Sequence, residues 1–243
     1  MEKRYFREYS AVLGRDMECK VYGHAGRPFL FVPCQDGRFF DFEDFHMAEV
    51  FAPWIDNGEV MVIAIDTLDQ ETWSGHGDAY WRVRRHEQWM HYIVDEMVPF
   101  IRGISGRNDI VAFGCSLGAT HAVNLYFRFP DHFTGLLALS GIYNADYGFG
   151  GYHDEVVYQN SPVHYLAGLS DGHPYIEKYN RGQSIICVGQ GDWELPETTR
   201  QLADIFRAKG INTWVDFWGY DVAHDWPWWY KQVAYFLPKL LED

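Results

Sequence analysis

Apolar residues along this chain fall into short blocks. Runs at 28–32, 60–65, 110–113, 136–139, 184–188 and 213–217 are flanked by polar residues or glycine, the pattern of strands buried on both faces. Between the blocks the spacing changes to a helical one over 41–52, 86–101, 117–127, 197–209 and 226–241. In the second of these, His91, Val94, Met97, Val98 and Ile101 recur at i, i+3 and i+4, and Gly210 follows the fourth, where a helix commonly ends in a residue of positive φ. Ahead of the alternation, 8–22 reads as two strands around a turn at Leu13, Gly14, Arg15 and Asp16. Strands alternating with helices predict an α/β fold: a mostly parallel central sheet with helices on both faces and an antiparallel N-terminal hairpin.

Residues 141–182, rich in Gly, Tyr, Asn and Asp, break this rhythm. They are too long for a plain connection and form a candidate lid or binding insertion, with a surface excursion of no function as the alternative. No Gly/Ser or Pro-rich linker and no internal repeat divides the sequence, so 1–243 is read as a single domain.

Composition narrows the function classes. A hydrophobic share of 47% with 22% charged residues is globular, and no apolar run approaches the roughly 18 to 20 residues needed to cross a bilayer. A formal charge of −14, offset only by the Arg82, Arg84 and Arg85 cluster, disfavours nucleic acid and anionic membranes as partners. Residues 1–10 mix charges with aromatics and lack the apolar core of a secretory signal, which predicts a cytoplasmic protein. Cys19, Cys34, Cys115 and Cys187 form no CxxC pair and read as reduced thiols. His86, Glu87 and His91 are spaced HExxxH; a five-residue step turns the second imidazole about 140° away from the first, so no zinc site is expected, and nothing else calls for a cofactor. The oligomeric state is left open, with a homodimer compatible.

The chemistry concentrates at Gly114, Cys115, Ser116, Leu117 and Gly118. With 23 glycines in the chain, GxSxG alone is weak evidence, but here it stands between a strand and a helix, the setting a nucleophile elbow requires. Ser116 is the expected nucleophile and the Leu117 amide an oxyanion donor. A serine hydroxyl needs a base, and the base needs an orienting acid, in the chain order Ser, acid, His for this kind of elbow. His224 alone among the downstream histidines lies between the last strand and the last helix. Asp192, directly after the strand 184–188, is the expected acid, with Glu194 and Asp221 as rivals. The second oxyanion amide should come from the loop Cys34, Gln35, Asp36, Gly37, Arg38, with Gln35 favoured. Aromatic content is 18%, and Trp73, Trp81, Tyr147 and Tyr152 are candidates for an apolar substrate pocket, with core packing as the rival account.

These residues together resemble the esterase D-like esterases, a branch of the α/β-hydrolases that includes S-formylglutathione hydrolases, feruloyl esterases, siderophore esterases and mycolyltransferases. The likeness spans nearly the whole chain. It is carried by Gly14-Arg15-Asp16-Met17-Glu18, Gly114-Cys115-Ser116-Leu117-Gly118-Ala119, Leu139-Ser140-Gly141, Asn160-Ser161-Pro162 and His224-Asp225-Trp226. The resemblance implies the α/β-hydrolase fold and a serine hydrolase cleaving small or medium carboxylic esters through an acyl-enzyme. It puts the nucleophile on Ser116, the acid on Asp192, the base on His224 and the oxyanion amides on Leu117 and Gln35. The stretch 33–37 departs from the small-residue turn of S-formylglutathione hydrolases. The alternatives are an acyltransferase or thioesterase with the same residues, and a noncatalytic binding protein on the same fold.

Overall fold

A computed structural model describes residues 1–242. In chain order the elements are β1 (Lys3–Ser10), β2 (Arg15–Tyr22), β3 (Arg27–Val32), α1 (Asp41–Asp44), α2 (Met47–Asp56), β4 (Val60–Ile65), α3 (Ala79–Tyr92), α4 (Val98–Ser105), β5 (Ile110–Cys115), α5 (Leu117–Arg128) and β6 (Phe133–Leu139). Then follow α6 (Asp146–Phe149), α7 (Glu155–Gln159), α8 (Pro162–Tyr165), α9 (Pro174–Arg181), β7 (Gln183–Val188), α10 (Glu197–Lys209), β8 (Trp214–Phe217) and α11 (Trp226–Leu241). One eight-stranded sheet runs β1-β2-β4-β3-β5-β6-β7-β8. The β1–β2 and β2–β4 pairings are antiparallel and the rest parallel. This is the architecture the alternation predicts.

The all-apolar strands hide a period of two. Leu30, Val32, Met61, Ile63, Ile110, Ala112, Leu136, Ala138 and Ile186 face α3, α4, α5 and α10. Their sequence neighbours Phe29, Phe31, Val60, Val62, Val111, Phe113, Leu137, Leu139, Ile185 and Cys187 face α2 and α11. Both faces are covered, so both sets are apolar and the alternation is invisible in hydropathy.

Three boundaries differ from the sequence pattern. The hairpin starts at Lys3 and turns at 11–14, because β1 is an exposed edge strand carrying charges rather than an apolar stripe. The predicted helix over 41–52 is split at His46, whose φ is 57°. The helix predicted from 86 begins at Ala79, capped by the Asp78 side chain, and a π-helical segment over Ile93–Met97 separates it from α4.

Residues 141–182 hold α6 to α9 and are pinned to α3 and α5. Asn160 and Ser161 are wholly buried. The Asn160 amide donates to Glu87 Oε2 at 3.0 Å, Arg128 donates to Asn160 Oδ1 at 2.8 Å and to Glu87 Oε1 at 2.6 Å, and Ser161 Oγ accepts from the Ala145 amide at 3.0 Å.

Candidate active site

The parallel register brings the carboxyl ends of β3, β5, β6, β7 and β8 to one edge of the sheet, and the loops leaving them build the site. After β5 the chain reverses into α5 within one residue, Ser116, whose φ of 56° and ψ of −129° lie far from ordinary strand or helix values. The flanking glycines are sterically required. A Cβ on Gly114 would sit 2.3 Å from the Gly118 carbonyl carbon, and one on Gly118 would sit 2.2 Å from the Val32 carbonyl oxygen. Ser116 is thereby thrust out over the edge with the first turn of α5 behind it. The Leu117 amide, at the first helical position, has no intrahelical acceptor and lies at the positive end of the helix dipole.

His224 meets that serine from the loop between β8 and α11. Its Nε2 lies 2.9 Å from Ser116 Oγ, and its side chain is 24% exposed, enough for solvent and substrate to reach. The carboxylate behind it is that of Glu194: Nδ1 stands 3.1 Å from Oε2, and the Glu194 side chain is 1% exposed. This corrects the expectation of Asp192, which is exposed and touches His224 only through its backbone oxygen, an acceptor for the His224 amide at 2.9 Å. Asp221, the other rival, is exposed. The reason is local. The loop after β7 turns through Trp193 in a left-handed conformation, φ 65°, so the side chain at 192 leaves the protein and the one at 194 enters it.

Glu194 is held by partners that the sequence pattern did not disclose. Its Oε1 accepts from Ser140 Oγ at 2.6 Å and from the Gly189 amide at 3.0 Å. Trp229 Nε1 donates to Ser140 Oγ at 3.0 Å, and an indole can only donate, so the Ser140 hydroxyl must send its own proton to the carboxylate. With Oε1 taken up by these two donors, Oε2 is left to accept the His224 Nδ1 proton, which leaves Nε2 free to accept from Ser116. Neither nearby thiol competes as nucleophile. Burial, reinforced by Cys34 and Glu194, pushes the Cys115 thiol well up; burial, reinforced by Asp41 and Asp69, pushes Cys34 up to about 12.

The loop after β3 packs on the elbow where Gly118 abuts the Val32 and Pro33 carbonyls, and Gln35 follows two residues on from that contact. The four pocket aromatics do not act as one wall. Trp73 is buried in a satellite cluster with Val83, Ala145, Phe149 and Val157, against which Leu117 and the half-buried Tyr152 pack. Trp81 and Tyr147 are exposed, at 67% and 58%. His86 is buried beside Trp89, whereas His91 is half exposed and pairs with Glu87 and Asp95 on its own helical segment.

A model of the Esterase family, described as "Putative esterase", matches residues 10–240. No curated protein matches the sequence. Among solved structures, a ferulic acid esterase superposes with a TM-score of 0.77 at 16% identity, over 99% of this chain and 97% of its own. An S-formylglutathione hydrolase from Agrobacterium tumefaciens gives 0.75 at 14% identity, over 98% and 94%. A fluorophosphonate-binding serine hydrolase of Staphylococcus aureus gives 0.69 at 13%, over 100% and 99%. These likenesses are of fold, and the fold is that of the α/β-hydrolases.

Proposed function

Starting from the fact that the chain belongs to the Esterase family and is a carboxylic ester hydrolase, we propose that it works as a serine esterase with Ser116 as nucleophile, His224 as base and Glu194 as the orienting acid. The observation that carries this reading is the unbroken line from Ser116 Oγ through both ring nitrogens of His224 to a buried carboxylate, at 2.9 and 3.1 Å. As Oγ bonds to the acyl carbon, its proton passes to His224 Nε2, and the carbonyl electron pair moves onto oxygen. That oxyanion is stabilised by the amides of Leu117 and Gln35, donors of a kind worth about 3 to 4 kcal/mol each. Collapse expels the alcohol, which takes the proton from Nε2. Water then repeats the sequence on the acyl-enzyme, and Ser116 leaves with the proton that His224 has collected.

The substrates we propose are small-molecule esters with short acyl groups, since Leu117, next to the nucleophile, packs against the buried cluster of Trp73, Val83, Ala145, Phe149 and Val157. A fluorophosphonate should label Ser116 alone, and Ser116→Ala should lower p-nitrophenyl acetate turnover by about four to six orders of magnitude with its thermal midpoint retained. Turnover in that variant at the wild-type rate would remove Ser116 from the mechanism.

A further inference from the structure

A second buried acid–histidine pair lies under the first and has no place in the steps above. Asp69, in the loop after β4, stands 2.9 Å from His121 Nε2, with side-chain exposures of 2% and 0%. His121 is on α5, one turn and a half beyond Ser116, and is boxed by the rings of His86 and Trp89 at 5.0 Å and Trp73 at 5.8 Å between centroids. The Asp69 backbone is itself held, its oxygen accepting from the Thr72 and Ser74 amides at 2.9 and 3.0 Å. The other carboxylate oxygen, Oδ2, accepts from the amide of Asp36 at 3.2 Å. Asp36 directly follows Gln35 and has a left-handed φ of 60°, a conformation a non-glycine residue keeps only when its surroundings hold it there.

The rest of that loop is tied in the same direction. Ser74 Oγ donates to the Asp36 carboxylate. Asp66 Oδ1 accepts from the Phe39 amide at 2.9 Å and from Arg38 Nε at 2.8 Å, and Thr67 Oγ1 donates to the Gly37 carbonyl at 3.2 Å. Of all these ties, only the one through Asp69 continues into the helix that carries the nucleophile.

We propose that Asp69 is a positioning residue: its carboxylate, clamped to His121, fixes the Asp36 peptide and so aims the Gln35 amide at the oxyanion, locking the oxyanion loop to the nucleophile helix. The proposal rests on the serine-esterase reading above. A displaced amide weakens binding of the tetrahedral oxygen and leaves the planar ester untouched, so the loss belongs in kcat rather than KM.

The test compares Asp69→Ala, Asp69→Asn and Ser74→Ala with wild type, using p-nitrophenyl acetate kinetics and the affinity for phenylboronic acid, which forms a tetrahedral adduct on the serine. Asp69→Ala should lose about 10- to 100-fold in kcat with KM within about threefold, and boronate affinity should fall by a similar factor. Asp69→Asn retains an oxygen for the Asp36 amide and should recover most of that loss. Ser74→Ala removes a tie outside the core; it should lower kcat about two- to fivefold in the same sense, so an Asp69→Ala protein that fails to fold leaves the proposal open to test. A lowered melting temperature with kcat and boronate affinity unchanged in Asp69→Ala, or no kcat effect in Ser74→Ala if the former does not fold, overturns it. Fluorophosphonate labelling of wild-type Ser116 separates the outcomes: without labelling the serine reading itself fails, and with labelling but a silent Asp69→Ala only this inference does.

Discussion

Glu194→Gln tests whether this carboxylate sets the state of His224. The side chains are nearly isosteric, and the structure dictates how the amide would lie. The Gly189 N–H at 3.0 Å cannot reverse its polarity, so the glutamine oxygen must occupy the Oε1 position and its NH2 must face His224 Nδ1, 3.1 Å from the present Oε2. An N–H donor opposite Nδ1 draws the ring into the tautomer protonated on Nε2, 2.9 Å from Ser116 Oγ, where it can no longer take a proton. Returning to the competent tautomer sets two donors face to face in a site whose carboxylate is 1% exposed. Each unmet donor costs about 1 to 3 kcal/mol, and the imidazolium formed in the reaction loses its counter-charge as well. A total of about 4 to 5.5 kcal/mol corresponds to a fall in kcat of about three to four orders of magnitude at 1.36 kcal/mol per decade. Asp192→Asn, which leaves the backbone oxygen in place, should change kcat by less than about twofold. Steady-state hydrolysis of p-nitrophenyl acetate, with melting curves to confirm folding, decides between them. If Asp192→Asn is the crippled variant and Glu194→Gln the active one, the geometry of the acid has been misread.

Two further outcomes follow from the buried surroundings. Ser140→Ala deletes the hydroxyl that joins Trp229 to Glu194, and at about 1 to 2 kcal/mol it should lower kcat roughly 5- to 30-fold with KM little changed; an unaltered kcat would show that Gly189 alone orients the acid. Burial, aided by the neighbouring His121 and Arg128, holds the His86 pKa well below its ordinary value, so the folded protein keeps this ring neutral while the unfolded chain protonates it near pH 6.5. Stability from this group is therefore present above that pH and lost as pH falls below it, by about 1 kcal/mol between pH 7 and 5.5. Urea denaturation of wild type and His86→Gln at both pH values should show a pH dependence larger in the wild type by about that amount, and equal pH dependence in the two proteins would refute it.

The fold and the meeting of Ser116 with His224 are legible because each rests on a signal the sequence prints. Buried strands print apolar blocks, and an elbow between strand and helix prints Gly114 and Gly118, which backbone contact at 2.3 and 2.2 Å makes obligatory. His224 is picked out by its place after the last strand. Asp69 and His121 carry no comparable signal. They lie 52 positions apart in sequence, and nothing in either segment marks them as a buried pair. The start of α3 prints no helical signal, because its first turns present Tyr80 and Trp81 to solvent and contribute no apolar stripe. Nothing in the sequence separates Glu194 from Asp192, because telling apart neighbours two residues apart requires the path of the loop, and loop paths are set by backbone angles.

Those angles explain why the site, in particular, resists reading. Among the described residues, five non-glycine residues have a left-handed φ: Asp36, His46, Ser116, Ser140 and Trp193. Four occupy the loops that leave β3, β5, β6 and β7 at the carboxyl edge, one to each loop. The fifth, His46, turns the chain so that Phe45 stacks on Trp226 at 4.7 Å, two residues beyond His224. Had glycine stood at these positions, the turns would have announced themselves; aspartate, serine and tryptophan conceal them. Each such conformation costs of order 1 to 3 kcal/mol and persists only where surrounding bonds hold it. The holding bonds are present: the Ser116 amide on Leu139 O at 2.8 Å, the Ser140 amide on Cys187 O at 2.8 Å, and the Asp36 amide on Asp69. Each of these three anchors is a neighbouring strand end or loop, so the turns at Asp36, Ser116 and Ser140 are fixed by their neighbours along the sheet edge. The strain is therefore stored collectively, and the side chains it aims, Ser116 and Glu194 among them, take their directions from partners that no local stretch of sequence contains.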